Sequence, residues 1–460
     1  MATFSIENFG CRSTEADAAA LRRELLAGGL KLVGEHASAD VVVLNTCTVT
    51  AAADYKAREA VRKIHRTNPG AQIVVTGCYA QRAPEELAAL EGVAWVVGNS
   101  HQAGIPRILH KLAPSSKTSA RRTPLQDFVP LGELGSVEAR LRREPAQVLT
   151  GDIFEQSRVQ IAPATLMAGG ATRPILKIQD GCGNRCAFCV IPFVRGRSRS
   201  LPPDVVVEEV RKLKAAGAKE IVLSGINLGS YGRDLTPRAG LSDVVVRILA
   251  ETEIEHVRFS SIEPQHITED FVALGASSSR LAPHFHIPLQ SGSDRILRAM
   301  HRWYRAEHYA ERINLIRRLL PDGAIGADVM AGFPGETDDD FLATLAYVER
   351  LPFTYLHVFS FSPRPGTKAA RLNEMVPSEV IRERARALRA MGQEKSAAFR
   401  ASQVGCTQRA LTLKRHGENW TEALTRNYLK VRIRGRFPAN EWHETRLGAD
   451  ASEPSEVISA

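Results

Sequence analysis

Cys182, Cys186 and Cys189 stand in a C-x3-C-x2-C spacing directly after the apolar run Ile175-Leu176-Lys177-Ile178. Three thiolates this close can hold a metal ion or an iron–sulfur cluster. On a four-iron cluster, three protein ligands leave one iron open to a substrate or cofactor. Zinc is the alternative, but such a site ordinarily draws a fourth Cys or His from a second knuckle. The flanking Val190, Ile191, Pro192 and Phe193 offer none, so the spacing favours a cluster. Three more cysteines, Cys11, Cys47 and Cys78, are far apart in the chain, yet each falls one to three residues after a stretch that reads as a strand. If those strands are parallel neighbours, their carboxyl ends share one edge and the thiols can converge on a second cluster. The alternative is three separately buried cysteines. Cys406 stands alone and reads as structural.

The elements around the dispersed cysteines come first in the chain. Thr3–Asn8, Asp40–Leu44, Gln72–Val75 and Val93–Val97 read as strands, and the second is a continuous apolar run of the kind found in buried parallel strands. Ala16–Leu26, Ala51–His65 and a segment from Pro84 to Leu90 read as helices, the first stopped by Gly28-Gly29. This β–α alternation predicts an open parallel α/β sheet with helices on both faces, over residues 1–105. The helix at 51–65 carries Lys56, Arg58, Arg62 and Lys63, with Arg66 just beyond. They form either a solvated basic face or a face for RNA phosphates. Residues 106–170 read as a polar connector with a short helix near Val137–Arg143. Its Arg121, Arg122, Arg140, Arg142 and Arg143 read as linker charges or RNA contacts.

Residues 171–392 repeat strand, loop and helix. Strands are predicted at Ile175–Gln179, Glu220–Ser224, His256–Ser261, His284–Gln290, Ile325–Ala331 and Tyr355–Ser362. Helices are predicted at Asp204–Ala216, Leu241–Ala250, Asp294–Met300, Ala306–Leu320 and Thr337–Arg350. The pattern predicts a partial (β/α)6 barrel, whose chemistry belongs at the strand carboxyl ends. The loops there are small or polar, as loops approaching a nucleoside-like cofactor must be: Gly225-Ile226-Asn227, Ser261-Ile262-Glu263, Gln290-Ser291-Gly292 and Gly332-Phe333-Pro334-Gly335. Arg195, Arg197 and Arg199 follow the cysteine loop. Their guanidinium forks suit a cofactor carboxylate, an acidic substrate group, a phosphate or a structural ion pair.

Residues 393–450 change character, with strand-like alternation at Arg409–Leu413 and Tyr428–Arg434. Lys414, Arg415, Trp420, Arg426, Tyr428, Lys430, Arg432 and Arg434 interleave charge with aromatic rings, which suits a small RNA-gripping β-barrel or an ordinary amphipathic sheet. Residues 451–460 read as a frayed tail. Across all 460 residues the net charge is +9, which favours a polyanionic partner. No apolar run reaches a membrane span, and the amino terminus lacks a secretory pattern. Seven dispersed cysteines argue against a disulfide framework and for a reducing, cytoplasmic setting.

The two cysteine sets in this domain order resemble the methylthiotransferases of the radical S-adenosylmethionine (SAM) superfamily. The motifs are Asn45-Thr46-Cys47-Thr48-Val49-Thr50, Gly77-Cys78-Tyr79-Ala80-Gln81, His286-Ile287-Pro288-Leu289-Gln290-Ser291-Gly292 and Gly332-Phe333-Pro334-Gly335-Glu336-Thr337. Thr48-Val49-Thr50, Tyr79-Ala80-Gln81 and His357-Val358-Phe359 look most like the branch acting on N6-threonylcarbamoyladenosine in tRNA. Ser362-Pro363-Arg364-Pro365-Gly366 is closer to the isopentenyladenosine branch, and Thr14 and Asp17 depart from the family pattern after the first cysteine. The resemblance implies two [4Fe–4S] clusters, one on Cys182, Cys186 and Cys189 that binds SAM and one on Cys11, Cys47 and Cys78 that presents sulfur. It also implies SAM as radical source and methyl donor, a carboxyl-terminal TRAM domain, a tRNA anticodon loop as partner, and a flavodoxin or ferredoxin as reductant. SAM contacts are expected from Phe188, Gly225, Asn227, Ser261, Glu263, Gln290 and Asp328, and a substrate carboxylate contact from Arg195 and Arg199. The rival readings are the isopentenyladenosine branch, modification of a ribosomal-protein aspartate, and a non-catalytic Fe–S or zinc module that binds RNA.

Overall fold

The computed structural model describes residues 2–112, 145–156, 159, 172–449 and 454–459. The connector arginines Arg121, Arg122, Arg140, Arg142 and Arg143, and the helix expected at 137–143, lie outside the described residues. The chain forms two compact units, Met1–Thr48 with Ala52–Glu155, and Val49–Ala51 with Gln156–Ala460.

In the first unit, β1 (Thr3–Asn8), β2 (Lys31–Leu32), β3 (Val41–Thr46), β4 (Gln72–Gly77), β5 (Val93–Gly98) and β6 (Gln147–Leu149) form one parallel sheet in the order β2-β1-β3-β4-β5-β6. Strand β3 shows why both faces are covered. Val42 and Leu44 pack with Val61 and Ile64 of helix Ala51–Thr67, while Val41 and Val43 pack with Leu21 and Leu25 of helix Arg12–Ala27. Alternate side chains point to opposite faces, so a strand apolar at every position needs a helix on each side. Strand β6 falls inside the expected connector. It pairs with Trp95, Val96 and Val97 of β5, and its three residues were too short to show a period.

The second unit starts with β7 (Ile175–Lys177) and the short antiparallel pair β8 (Gln179–Asp180) and β9 (Arg199–Ser200), which brackets the cysteine loop. Then come β10 (Glu220–Ser224), β11 (His256–Phe259), β12 (His284–His286), β13 (Ala324–Ala331) and β14 (Tyr355–Ser360). They form two parallel sheets, β11-β10-β7 and β12-β13-β14. Ile262 N–H bonds the His286 carbonyl at 2.9 Å and joins the two into a six-stranded partial barrel. Ile221, Leu223, Val257, Phe259, Phe285, Ile325, Ala327 and Val329 share one buried apolar core with the helices. The alternate positions, including Lys177, Glu220, Arg258, His284 and His286, are polar and buried, so they fall on the barrel's inner face.

Helix Ser378–Ser402 crosses the expected domain boundary at 392/393, and the carboxyl-terminal sheet begins only at β15 (Thr407–His416). With β16 (Trp420–Thr425), β17 (Lys430–Arg434), β18 (Trp442–Arg446) and β19 (Glu456–Ser459) it makes a curled antiparallel sheet, ordered β17-β16-β15-β18-β19. Strand β19 corrects the frayed tail expected at 451–460: it pairs with β18. Ser455, just before it, exchanges backbone bonds with Arg432 and Arg434 of β17, which draws the sheet's edges together.

This sheet seals the amino-terminal end of the barrel. Tyr428 stacks on His284 with ring centroids 4.1 Å apart, and the Arg258 guanidinium lies over the Tyr428 ring at 5.3 Å. Arg258 also bonds Glu220 at 2.9 Å and the Thr425 carbonyl at 3.4 Å. Arg426 bonds the Leu281 carbonyl at 3.2 Å. Tyr428 and Arg426 therefore pack inward rather than joining the RNA-gripping set in which they were expected. Glu220 and Arg258 have fully buried side chains, so removing one charge strands the other in low dielectric. Glu220→Gln is expected to cost about 3–5 kcal/mol of stability, read as a lowered urea midpoint by far-ultraviolet circular dichroism of the anaerobic protein.

Candidate functional site

The loop between β8 and β9 carries Cys182, Cys186 and Cys189, all free of disulfides. Its backbone is turned so that Asn184 N–H points at Cys182 Sγ, 3.4 Å away, and Cys189 N–H bonds the Cys186 carbonyl at 3.1 Å. Burial raises the Cys182 thiol to about 11 and the Cys189 thiol to about 12. Thiols held neutral in this way ionise when a cation binds them. Arg302 supplies a fixed cation at their side. Its Nη1 donates to Cys186 Sγ at 3.4 Å, its Nη2 donates to Glu263, and its Nε donates to Tyr304 Oη at 3.1 Å. Burial disfavours its charge, but Tyr304, Glu263 and Cys186 outweigh that and hold it firmly protonated. A guanidinium donating to a ligand sulfur is a contact suited to an anionic thiolate cluster.

Beneath the loop, Asp180 gathers three cations. Lys177 Nζ lies 2.9 Å from Oδ2, Arg195 Nη1 lies 3.1 Å from Oδ1, and Arg199 Nη2 lies 3.7 Å from Oδ2. Burial works against the carboxylate charge, but Lys177, Arg195 and Arg199 override it and hold the carboxyl well below its usual range. Arg199 also donates to the carbonyls of Arg195 and Arg197, at 2.8 and 3.1 Å. Arg195 and Arg199 are both buried. This corrects their expected role as partners of a substrate carboxylate: both are held on Asp180 as part of the loop's foundation. Gln179 ties that foundation to the neighbouring strand end, donating to the Gly181 carbonyl at 2.7 Å and accepting from Asn227 N–H at 2.8 Å.

The expected SAM contacts divide into two groups. Asn227 N–H donates to Gln179 Oε1 at 2.8 Å at the base of the loop, and Glu263 reaches Cys186 through Arg302. Phe188 packs beside Ala187, Met300 and Met330. Gly225 N–H reaches Ser260 Oγ at 3.4 Å, with Ser261 next to it on the same turn. Phe188 lies within the cysteine loop, and Gly225 and Asn227 adjoin its base at Gln179. Gln290 adopts φ 70° and bonds the Asp328 carbonyl through its N–H. The Asp328 side chain instead meets His286, 2.9 Å away, and His357, 3.5 Å away. Arg302 and Asp180 were not anticipated. Asp180 adjoins the cysteine loop, and its place after a buried strand with Lys177 three residues earlier was the available signal. Arg302 had no spacing signal at all.

In the first unit, Cys11, Cys47 and Cys78 follow the carboxyl ends of the neighbouring parallel strands β1, β3 and β4. A Cβ on Gly10 would lie 3.3 Å from Cys47 Sγ, and one on Gly77, at φ 98°, would lie 2.3 Å from the Thr46 carbonyl oxygen. Only glycine lets the three segments come this close. Asn99 Nδ2 lies 3.6 Å from Cys78 Sγ. Asn45 locks the first two segments together by donating to Asn8 Oδ1 at 3.0 Å and to the Thr14 carbonyl at 2.7 Å. Thr14 in turn donates its hydroxyl to the Cys11 carbonyl at 2.7 Å, so polar bracing is present at this departure from the family pattern. Behind the edge, Arg82 bonds Thr48 and Asp54 at 2.8 and 3.0 Å, and Arg58 bonds Tyr79 at 2.6 Å. Arg58 thus turns inward, whereas Lys56, Arg62, Lys63 and Arg66 are exposed on the helix.

Comparison with known proteins matches these two units to separate families. Residues 3–98 match the uncharacterized protein family UPF0004, and residues 176–348 match the radical SAM superfamily. The threonylcarbamoyladenosine tRNA methylthiotransferase MtaB of Aquifex aeolicus is 36% identical over 431 residues, covering 94% of this chain and 96% of that protein. The chain belongs to the radical SAM methylthiotransferase family. A Bacillus subtilis protein of the same name is 34% identical over 95% of this chain and 91% of its own length. The tRNA-2-methylthio-N(6)-dimethylallyladenosine synthase of Thermobifida fusca is 36% identical over 83% of this chain and 72% of that protein. Among solved structures, the radical SAM methyltransferase TsrM of Kitasatospora setae, with cobalamin and a [4Fe–4S] cluster bound, aligns with TM-score 0.55 at 16% identity. It covers 80% of this chain and 74% of that one, a likeness of fold.

Methylthiotransferases of this family use SAM and iron–sulfur clusters, and both thiol sets fit such clusters: three cysteines each, none in a disulfide, with polar N–H donors beside the sulfurs. Hydrogen bonds to ligand sulfurs raise cluster potentials by stabilising the reduced, more negative state. Arg302→Gln is therefore expected to lower the potential of the cluster on Cys182, Cys186 and Cys189. A charged hydrogen bond of about 1.5–3 kcal/mol sets an upper bound of roughly 65–130 mV for one electron, since only its strengthening on reduction moves the potential; the shift is read by EPR-monitored redox titration.

Proposed function

We propose that this protein methylthiolates C2 of N6-threonylcarbamoyladenosine at position 37 of tRNA, giving 2-methylthio-N6-threonylcarbamoyladenosine. The observation that carries the reading is identity of 34–36% to two proteins named for that activity across at least nine-tenths of this chain. The aromatic C2–H bond is unactivated, and side-chain acid–base chemistry is a poor route to replacing that hydrogen by sulfur. Bound at the two thiol sets, SAM and the clusters would supply one-electron cleavage of a sulfonium bond, a sulfur atom and a methyl group.

The chain's own residues supply the frame for that chemistry. Arg302 sets a sulfur of the radical SAM loop by a hydrogen bond, and Gln179, bonded to Asn227, fixes the loop to the neighbouring strand end. Asp180 holds the base of the loop by ion pairs. The adenosine must leave the anticodon-loop stack to reach such a site. RNA grip falls to the TRAM-like carboxyl-terminal sheet. There the guanidinium of Arg432 lies 4.5 Å and that of Arg415 6.0 Å from the Trp420 ring, which is partly exposed. Electrons come from a flavodoxin- or ferredoxin-type reductant in the cytoplasm.

Mass spectrometry of tRNA nucleosides from cells with and without the gene tests the substrate. Loss of 2-methylthio-N6-threonylcarbamoyladenosine with accumulation of its unthiolated parent is expected. Loss of the isopentenyl counterpart instead would assign the chain to the activity named for the Thermobifida fusca relative. For the RNA surface, Arg415→Ala with Arg432→Ala is expected to weaken tRNA binding and to lower the slope of log K against log salt by about 2, since each phosphate contact adds about 0.9.

A further inference from the structure

Inside the partial barrel, three adjacent strands each place two residues on one face: His284 and His286 on β12, Gly326 and Asp328 on β13, and Tyr355 and His357 on β14. Register aligns them. His286 pairs with Gly326, Gly326 with Tyr355, and Asp328 with His357. Side chains two residues apart share a face, so the donors converge. His286 Nε2 lies 2.9 Å and His357 Nδ1 3.5 Å from Asp328 Oδ1, and one ligand atom from each residue falls within 4.8 Å of the others. Donors bonded at about 2.1 Å around a tetrahedral ion are spaced about 3.4 Å apart, so these separations are of the right size for one ion.

We infer that His286, Asp328 and His357 form a binding site for one divalent transition-metal ion. Two imidazoles and a carboxylate suit zinc, iron(II) or manganese(II) and leave coordination positions open to an oxygen donor such as a carboxylate or water. The support behind the ligands is already built. The Nδ1 of His286 meets Tyr355 Oη at 3.0 Å, and the same hydroxyl meets His284 Nε2 at 2.8 Å. A ligand histidine whose second nitrogen is so fixed is held in ring orientation and tautomer. Gly326 makes the arrangement possible, because a Cβ there would lie 2.3 Å from Tyr355 Oη. Burial disfavours the Asp328 anion, but hydrogen bonds from His286 and His357 reverse this and keep it ionised, the state a ligand needs. The site is reachable: His286 is 5% exposed, Asp328 19% and His357 51%.

Anaerobic titration of the oxidised holoenzyme with Mn2+ tests the site, following the EPR signal of the free aqua ion; oxidised [4Fe–4S] clusters are silent in that measurement. Uptake of one Mn2+ per chain is expected. His357→Ala, at a half-exposed position whose truncation leaves the core intact, and Asp328→Asn should each weaken uptake by tenfold or more. Tyr355→Phe keeps all three donors and should weaken it by about 10-fold through the lost support of His286. Retained cluster absorbance in each variant shows that the fold survived. A free-ion signal undiminished at millimolar metal, or uptake unchanged in His357→Ala and Asp328→Asn, would overturn the site and leave the three side chains a hydrogen-bonded triad.

Discussion

The radical SAM loop depends on one buried carboxylate. Asp180 sits where the first barrel strands end and the cysteine loop begins, and it holds Lys177 from before the loop and Arg195 and Arg199 from after it. Both ends of the loop are therefore fastened to the same group. Each of these charges is costly to bury alone. Together they define one position for the loop, because a shift of either end would separate ions in a low-dielectric setting. A nine-residue stretch rich in glycine and cysteine has little apolar surface with which to hold itself, so ionic fastening replaces packing at this point of the barrel.

The same reasoning explains how guanidinium groups are used around the thiols. Arg195 and Arg199 act from below on the backbone and on Asp180, while Arg302 acts from the side on a sulfur. Arginine suits both tasks, since its planar fork makes several directed bonds and keeps its charge when buried. The second cysteine set uses a different device. Its thiols come from three separate strand ends, and neutral hydrogen bonds from Asn45 and Thr14, with glycines at the closest approaches, bring the segments together. A site built across strand ends inherits its precision from the sheet, so it needs less ionic bracing than a site built on one loop.

This difference also decides what could be read from the chain alone. Of the strands ending near Cys11, Cys47 and Cys78, β3 is a continuous apolar run, β1 alternates and β4 carries a short apolar core, and local pattern is enough to find them. The C-x3-C-x2-C loop is legible because its ligands are neighbours in sequence. Arg195 and Arg199 were visible as cations near a cluster, but their partner was not, because local pattern does not say which buried carboxylate a guanidinium will meet. Strands β6 and β19 are three and four residues long, below the length at which alternation becomes visible, and they exist through pairing with β5 and β18. The helix Ser378–Ser402 runs through the expected boundary because composition shifts within it while the backbone stays helical.

The His286, Asp328 and His357 group shows the limit most clearly. Its residues are about forty and thirty positions apart, and each sits in a strand whose pattern reads simply as alternating. Only the register between three parallel strands makes them neighbours, and register is a property of the assembled barrel. Non-local pairing of this kind creates sites that leave no motif. In a barrel whose outer face is uniformly apolar, the inner face is where such polar pairs accumulate, since every second residue of every strand must point there. Most of them satisfy one another, as Glu220 and Arg258 do at the sealed end. Nearer the open edge, where β14 exposes His357, the same alternation sets out donors that an ion can reach.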